Sequence, residues 1–184
     1  KAEAQGKKPG FLLTKQFNFA DKAVFSKIRE IFGGNLRVAI SGAAPIDPEI
    51  LRFYEAAGVP LFEAWGMTET STGGTTNMPG ENRIGTVGKP VDGVELRIAE
   101  DGELLIKGDN VFQGYYKNPE ATAETITDGW LHTGDIASID EDGYVSIIGR
   151  KKEIIITAGG KNITPVNIEQ EVKRHPLVSQ CVVI

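Results

Sequence analysis

The hydrophobic positions in the first half of the chain follow helical spacing first and strand spacing afterwards. From Phe19 to Phe32 apolar residues recur every three or four positions, which predicts an amphipathic helix that ends at Gly33 and Gly34. The short apolar runs Leu36–Ile40 and Val59–Phe62 each predict a buried strand. Residues 1–16 are expected to form a loose lead-in to this region.

A second helix is predicted between these two strands. Asp47 can cap its N-terminus, and Pro48 suits its first position because the N–H that proline lacks would have no helical partner there. Gly58 is expected to end the helix. The order strand, helix, strand predicts an α/β layer that contains a parallel pair of strands.

After Gly85 the pattern changes to an alternation of apolar and polar residues, which predicts a β-rich part. The predicted elements are the strands Val94–Ile98, Leu104–Ile106, Ile136–Ile139 and Tyr144–Ile148 and the short helix Pro119–Thr125. Asp101 and Gly102 form the turn of one hairpin. The acidic segment Asp140–Gly143 is expected to be the plain turn of the other, because it is too short for a calcium loop and lacks its distal glutamate.

The last part of the chain reads as the start of a separate α+β unit. A polar segment at 149–153 precedes the predicted strand Ile154–Thr157, a turn at Gly159 and Gly160, the helix Pro165–Arg174 and a final strand at Cys181–Ile184. The predicted divisions are 1–84 for the α/β part, 85–149 for the β-rich part, 150–153 for a hinge and 154–184 for the last unit. The non-methionine start and the apolar end suggest that both termini are fragment boundaries.

Composition narrows the function classes. The 184 residues carry a net charge of −5, so binding to a phosphate backbone is disfavoured and no nucleic-acid partner is expected. The single cysteine, Cys181, excludes an internal disulfide and is compatible with the cytoplasm. No apolar stretch approaches the ~20 residues that span a bilayer.

Four segments carry candidate chemistry, and each also has an ordinary structural explanation. In Ser41–Pro45, small residues between a strand and a helix allow a ligand to approach the backbone, although a tight turn would look the same. In Glu63–Thr70, hydroxyl groups and one carboxylate suit phosphate and magnesium, and Trp65 offers a face to a purine. A polar loop with a core tryptophan is the alternative.

The third and fourth segments contain an acidic residue and a basic cluster. In Gly129–Asp135, Asp135 could accept both hydroxyls of a ribose or simply cap a turn, and no role is assigned to His132. In Gly149–Glu153, Arg150 could reach a ribose or a phosphate from a hinge between two units. The alternative is a solvated charged linker.

In this order, the four segments resemble the adenylate-forming superfamily of acyl-CoA synthetases, luciferases and peptide-synthetase adenylation domains, from about Phe25 onwards. The resemblance implies the end of a large N-terminal adenylation domain, with an α/β layer and a barrel-like β-rich subdomain, followed by the start of a small α+β domain. The runs Ala39–Pro45, Gly108–Tyr116 and Gly149–Asn162 are most similar to long-chain acyl-CoA synthetases.

The resemblance also implies roles for individual residues. Thr68 matches the phosphate-contacting threonine, and Glu69 matches the glutamate that binds Mg²⁺. Asp135 and Arg150 match residues that contact the ribose, and Lys152 matches the hinge. The adenine, phosphate and acyl pocket is expected to be lined by Gly42, Ala43, Ala44, Glu63, Ala64, Trp65, Gly66 and Met67. Tyrosine is more usual in the family at the Trp65 position.

The expected activity is ATP-dependent conversion of a fatty acid to acyl-AMP and then to acyl-CoA. ATP, Mg²⁺ and CoA are the implied cofactors and co-substrates, and a fatty substrate favours peripheral contact with a membrane. The family's phosphate loop and C-terminal lysine are not in the sequence, so the fragment alone is expected to be inactive. The alternatives are an acyl-AMP ligase that loads a carrier protein, a non-catalytic nucleotide-binding module and a plain β-rich interaction domain.

Overall fold

The structure is a computed structural model that describes residues 10–156, 159 and 162–184. Its helices are α1 (Phe11–Ala20), α2 (Ser26–Ile31), α3 (Pro48–Ala56), α4 (Pro119–Thr125) and α5 (Pro165–Lys173). Its strands are β1 (Ala39–Ser41), β2 (Leu61–Trp65), β3 (Thr75–Thr76), β4 (Lys89–Pro90), β5 (Val94–Ile98), β6 (Glu103–Gly108), β7 (Ile126–Thr127), β8 (Trp130–Ile139), β9 (Val145–Arg150), β10 (Ile155–Ile156) and β11 (Asn162–Ile163).

The first sheet has the order β1-β2-β3-β4, and its β1/β2 pair is parallel, as predicted. Helix α3 connects the parallel strands and begins as the sequence indicates. The Asp47 carboxylate accepts a 2.8 Å hydrogen bond from the backbone N–H of Glu49, and Pro48 occupies the first turn. Gly58 follows the helix with a left-handed φ of 73°.

Both strand predictions for this sheet need correction. β1 covers only Ala39–Ser41 and is not buried, because it lies at the sheet edge and Ile40 is 61% exposed. β2 begins after Pro60, whose missing N–H makes it unsuitable inside a ladder, and extends to Trp65. Glu63, Ala64 and Trp65 therefore lie within a strand rather than in a loop after it.

The N-terminal helical segment starts earlier than predicted. α1 begins at Phe11, and a π-helical turn at Asp21–Phe25 joins it to α2, so residues 11–16 are helical rather than a loose lead-in. Residues 11–32 contain no glycine or proline that would interrupt a helix. Other residues of the described chain cover only part of the predicted apolar stripe, and Ile31 is 81% exposed.

The second sheet is antiparallel, with the order β5-β6-β8-β7 and β9 also paired with β8. Both predicted hairpins and helix α4 are confirmed. Its core contains the buried side chains of Leu104, Ala137 and Val145. Trp65 of β2 packs against this core, so the two sheets share a hydrophobic contact.

The acidic turn Asp140–Gly143 is a hairpin turn, as expected. The Asp140 carboxylate accepts hydrogen bonds from the backbone N–H groups of Asp142 and Tyr144, at 3.0 and 2.9 Å. Asp140 and Asp142 also pair with the Arg83 guanidinium. The Arg83 guanidinium thus offsets part of the negative charge of this turn.

The C-terminal part contains the antiparallel pair β10/β11 and helix α5. The predicted final strand is wrong, because Cys181–Ile184 has no strand pairing among the described residues. Thr157 of the predicted strand and Gly160 of the predicted turn lie outside the described residues. Arg174, just after α5, pairs with Asp47 at 3.1 Å, so this part contacts the start of α3.

These elements confirm the mixed α/β class, with an α/β layer and a β-rich part. Within the part of the chain that the structure describes, no helix has the length and hydrophobicity required to cross a membrane.

Leu104→Ala is expected to destabilise the fold strongly, because the Leu104 side chain is fully buried in the core that the two sheets share. We expect the free energy of unfolding to fall by about 2–5 kcal/mol, measured by urea denaturation of the protein. Lys107→Ala on the same strand is the control, because Lys107 is exposed and its truncation should change stability little. Equal effects of the two substitutions would contradict this assignment of the core.

Candidate functional site

A cavity of about 390 Å³ lies where the first sheet, the second sheet and α5 meet. A volume of this size is at the lower end of the range for small-molecule pockets. The candidate residues that line it are Ala43, Ala44, Glu63, Ala64, Trp65, Gly66, Asp135 and Arg150. Five other candidates, namely Gly42, Met67, Thr68, Glu69 and Lys152, do not line this cavity.

Asp135 is the most constrained polar side chain of the cavity wall. It lies inside β8, opposite Arg150 of β9, and is 4% exposed. One carboxylate oxygen, Oδ1, pairs with Arg150 Nε at 3.0 Å, and the other, Oδ2, accepts a 2.8 Å hydrogen bond from Trp65 Nε1. The pairing of β8 with β9 therefore brings together two predicted site residues that are distant in the sequence.

The alternative that Asp135 caps a turn does not hold, because Asp135 lies inside β8. The tight turn consists of Asp128 and Gly129, which both have positive φ values and connect β7 to β8. Gly134 also has a left-handed φ of 72°, and the pairing of β6 with β8 shifts register around it. This bulge, rather than a turn, precedes Asp135.

Burial raises the pKa of the Asp135 carboxyl above its ordinary value, while the Trp65 N–H and the Arg150 guanidinium oppose that rise. Burial likewise raises the pKa of the Glu63 carboxyl, against hydrogen bonds from the backbone N–H groups of Ile46 and Gly85. Two carboxyl groups in the cavity wall thus resist ionisation, a common property of functional sites.

The backbone at the mouth of the cavity is tightly packed. A Cβ on Gly66 would lie 2.0 Å from the carbonyl oxygen of Thr72, so only glycine fits there. A Cβ on Gly42 would lie 3.0 Å from the carbonyl oxygen of Ala64. Ala43 has a left-handed φ of 68°, which is unfavourable for alanine and typical of strained positions at functional sites.

Met67, Thr68 and Glu69 follow β2 directly, and Thr68 and Glu69 begin a short 3₁₀ turn. The Glu69 carboxylate accepts a 2.8 Å hydrogen bond from the Tyr115 hydroxyl, which fixes its orientation. The described residues contain no cluster of three or more histidine, cysteine or acidic side chains that could enclose a metal. One carboxylate beside a threonine hydroxyl nevertheless fits Mg²⁺, which keeps several waters and is usually held by one or two carboxylates together with substrate phosphates.

Sequence reasoning missed the segment that supports Glu69. Asn110 donates to the carbonyl oxygens of Thr70 and Gly73, and the backbone N–H of Phe112 donates to the carbonyl oxygen of Glu69 at 2.7 Å. The Tyr115 hydroxyl, which holds the Glu69 carboxylate, belongs to the same segment. The run Gly108–Tyr116 contains these residues, but nothing in its spacing indicates which loop it contacts.

Ion pairs hold the beginning of the predicted hinge segment, residues 150–153, against the second sheet. Lys151 pairs with Asp101 at 2.6 Å and with the nearly buried Glu103 at 2.9 Å, and Lys152 is exposed in the following 3₁₀ turn. His132 also hydrogen-bonds Glu103, at 3.1 Å, so it has a packing role in this cluster. These contacts attach the N-terminal end of the segment to the second sheet.

Helix α5 contributes Val166, Asn167 and Gln170 to the cavity wall, which the sequence did not indicate. This contribution depends on long-range contacts of the C-terminal part. Arg174 pairs with Asp47 at the start of α3, and Thr164 packs against Gly149 of β9 in the second sheet.

Comparison with known proteins identifies the class of protein to which the chain belongs. The structure superimposes with a TM-score of 0.76, at 26% sequence identity, on o-succinylbenzoate CoA synthetase of Bacillus subtilis solved with its acyl-adenylate intermediate, over 96% of this chain and 41% of that chain. The fold is therefore that of the adenylate-forming enzymes. A family described as AMP-binding enzyme matches residues 11–116, and the chain belongs to that family.

Two curated relatives are similar along most of the chain. It is 50% identical over 176 residues to the long-chain-fatty-acid–CoA ligase FadD15 of Mycobacterium bovis, covering 96% of this chain and 29% of the relative. It is 43% identical over 173 residues to the long-chain-fatty-acid–CoA ligase 5 of Rattus norvegicus, covering 87% and 25%. The chain thus spans between a quarter and a third of the length of these relatives.

The raised pKa of Asp135 predicts an unusual pH dependence of stability. A raised folded-state pKa means that this group stabilises the fold most below its ordinary pKa of 3.8 and loses that contribution as the pH rises through the raised value. We therefore expect Asp135→Asn to preserve or raise the melting temperature at neutral pH. The lost pair to Arg150 should matter little, because that side chain is 53% exposed.

The matched control is Asp140→Asn, which is expected to change the melting temperature in the opposite direction. The backbone N–H of Tyr144 and the Arg83 guanidinium hold the pKa of Asp140 below its ordinary value. Asp140→Asn should therefore lower the melting temperature at neutral pH, by an amount that shrinks in acid. Melting curves recorded from neutral to acid pH check both; a loss of stability at neutral pH for Asp135→Asn would refute the prediction.

Proposed function

We propose that the protein containing this chain is an AMP-forming long-chain fatty-acid–CoA ligase. In the first half-reaction, a carboxylate oxygen of the fatty acid attacks the α-phosphorus of ATP and pyrophosphate leaves. In the second, the sulfur of CoA attacks the acyl carbon, AMP leaves and the thiol proton passes to solvent. The substrate class rests on the similarity to long-chain-fatty-acid–CoA ligases along most of the chain.

One observation supports nucleotide binding most directly. A nearly buried carboxylate, Asp135, lies in the wall of the cavity with an arginine on one oxygen and an indole N–H on the other. Such a carboxylate, already held in place, can accept hydrogen bonds from the two hydroxyls of a ribose. We assign Asp135 and Arg150 to the ribose.

The remaining candidates are assigned to the base and the phosphates. Ala43 and Ala44, in the cavity wall, and the preceding Gly42 are assigned to the adenine and acyl pocket, where small residues permit close approach. Trp65, which lies in the cavity wall, is assigned to the adenine. The strand and loop positions assigned to the adenine and phosphate side are Glu63, Ala64, Gly66 and Met67.

Thr68 and Glu69 are assigned to the phosphoryl group. The Thr68 hydroxyl donates a hydrogen bond to an oxygen on the α-phosphorus as negative charge develops there. The Glu69 carboxylate, oriented by Tyr115, would hold Mg²⁺. When bound, the metal supplies neutralisation of phosphate charge.

We also propose that residues 150–153 form a hinge between the adenylation domain, which comprises 1–84 and 85–149, and a C-terminal domain that begins at 154. The attachment of Lys151 to Asp101 and Glu103 supports a pivot just after it, at Lys152. The protein would act in the cytoplasm, and its fatty substrate favours peripheral contact with a membrane.

The direct test incubates the full-length protein with ATP, Mg²⁺ and palmitate, with and without CoA, and identifies products by mass spectrometry. We expect palmitoyl-CoA and AMP when CoA is present. Accumulation of palmitoyl-AMP in the presence of CoA would replace the proposal with a ligase that loads a carrier protein. Absence of any adenylate with fatty acids of every length would reject the substrate class.

Glu69→Gln tests the metal assignment. It retains the size of the side chain but removes its charge, so we expect adenylation to slow by roughly 100-fold and the Mg²⁺ concentration needed for half-maximal rate to rise. Glu124→Gln on the exposed face of α4 is the control and should change neither. A normal rate and a normal Mg²⁺ dependence of Glu69→Gln would remove Glu69 from the metal site.

A further inference from the structure

We infer that Trp65 is a positioning residue for Asp135, so that the preference of the site for a ribose depends on the indole N–H and not only on the ring face. The inference rests on the proposed function, because it assigns Trp65 a task within the same nucleotide site. It starts from the 2.8 Å hydrogen bond from Trp65 Nε1 to Asp135 Oδ2, which joins residues 70 positions apart on two different sheets.

The indole is held firmly enough to act as such a support. Its ring packs against the core formed by Leu104, Ala137 and Val145. The ring also lies against Gly74, where an added Cβ would be 2.6 Å from two atoms of the six-membered ring. These two contacts restrict the ring, and its N–H is directed at Asp135.

The two donors on Asp135 leave room for a ligand. A carboxylate offers about four acceptor positions, two on each oxygen. Arg150 Nε occupies one on Oδ1 and Trp65 Nε1 occupies one on Oδ2, so each oxygen retains capacity for a hydroxyl. Because the donors lie on different oxygens, together they fix the rotation of the carboxylate group.

The Arg150 contact alone is a weaker support. The Arg150 side chain is 53% exposed, so water competes for its contact, whereas the Trp65 ring is partly buried against the core. Without the indole N–H, the buried Oδ2 would lose a donor that offsets its desolvation. The carboxylate would then rotate or protonate more readily, and both changes weaken its contact with ribose hydroxyls.

This role differs measurably from base stacking. A residue that only stacks on adenine affects ATP and 2′,3′-dideoxy-ATP equally, because both carry the same base. A residue that orients the ribose carboxylate affects ATP alone. The useful quantity is therefore the ratio of the two dissociation constants, measured by calorimetry on the full-length protein without fatty acid.

For Trp65→Phe, we expect the preference for ATP over 2′,3′-dideoxy-ATP to fall by roughly tenfold, the size expected for one hydrogen bond to a charged group. Retained binding of the dideoxy nucleotide shows that the variant is folded. Trp130→Phe is the matched control, because Trp130 stacks beneath Arg97 at 4.7 Å and is not in the cavity wall. It should preserve the wild-type preference.

Two further measurements keep the outcome decisive. In an Asp135→Ala background, Trp65→Phe should leave the remaining preference unchanged, because the group through which Trp65 acts is gone. If Trp65→Phe does not fold, a benzothienyl side chain introduced at position 65 retains the shape of the indole and removes only the N–H, and it should give the same tenfold loss.

The outcomes separate this inference from the proposed function. Equal weakening of both nucleotides by Trp65→Phe, or no change in either, overturns the positioning role while leaving the nucleotide site intact. A wild-type protein that binds ATP without preferring it over the dideoxy nucleotide overturns the ribose assignment of Asp135, and the inference with it. A wild-type protein that binds neither nucleotide overturns the proposed function itself.

Discussion

A carboxylate that is almost fully removed from water must be held by donors from its surroundings, and at Asp135 those donors come from two sheets. Trp65 reaches it from the α/β sheet and Arg150 from the neighbouring strand of the antiparallel sheet. The hydrophobic packing of Trp65 on the second sheet's core and its hydrogen bond to Asp135 act at the same place. One side chain therefore contributes both to the contact between the two sheets and to the geometry of the candidate site.

Maintaining this carboxylate has a cost that structure elsewhere must offset. Burial raises the pKa of Asp135, so its ionised form works against the stability of the fold near neutral pH. The left-handed backbone of Ala43 and the glycine-only position at Gly66 add local constraints around the same cavity. The core around Leu104 compensates through ordinary hydrophobic burial. Such concentration of unfavourable features is characteristic of sites selected for binding.

The supports of the site come from segments that carry no obvious chemistry. Tyr115 orients Glu69, Asn110 ties the loop that carries Glu69, and Lys151 attaches the hinge segment to Asp101 and Glu103. Helix α5 completes the cavity wall from the C-terminal part of the chain. The contacts of Tyr115, Asn110 and Lys151 thus hold segments that the sequence had already marked.

Local patterns in the sequence determined the class of fold, the parallel pair around α3, both hairpins and the family, because capping residues, turn residues and alternating hydrophobicity act over a few positions. They also marked Asp135, Arg150 and Trp65 individually. The limits of β1 and β2, and the lack of a strand at Cys181–Ile184 in the described part of the chain, depended on the available pairing partners. Only the tertiary structure decided that Trp65 holds Asp135, that Tyr115 holds Glu69 and that α5 closes the cavity, because these contacts join residues far apart in the chain whose spacing carries no signal.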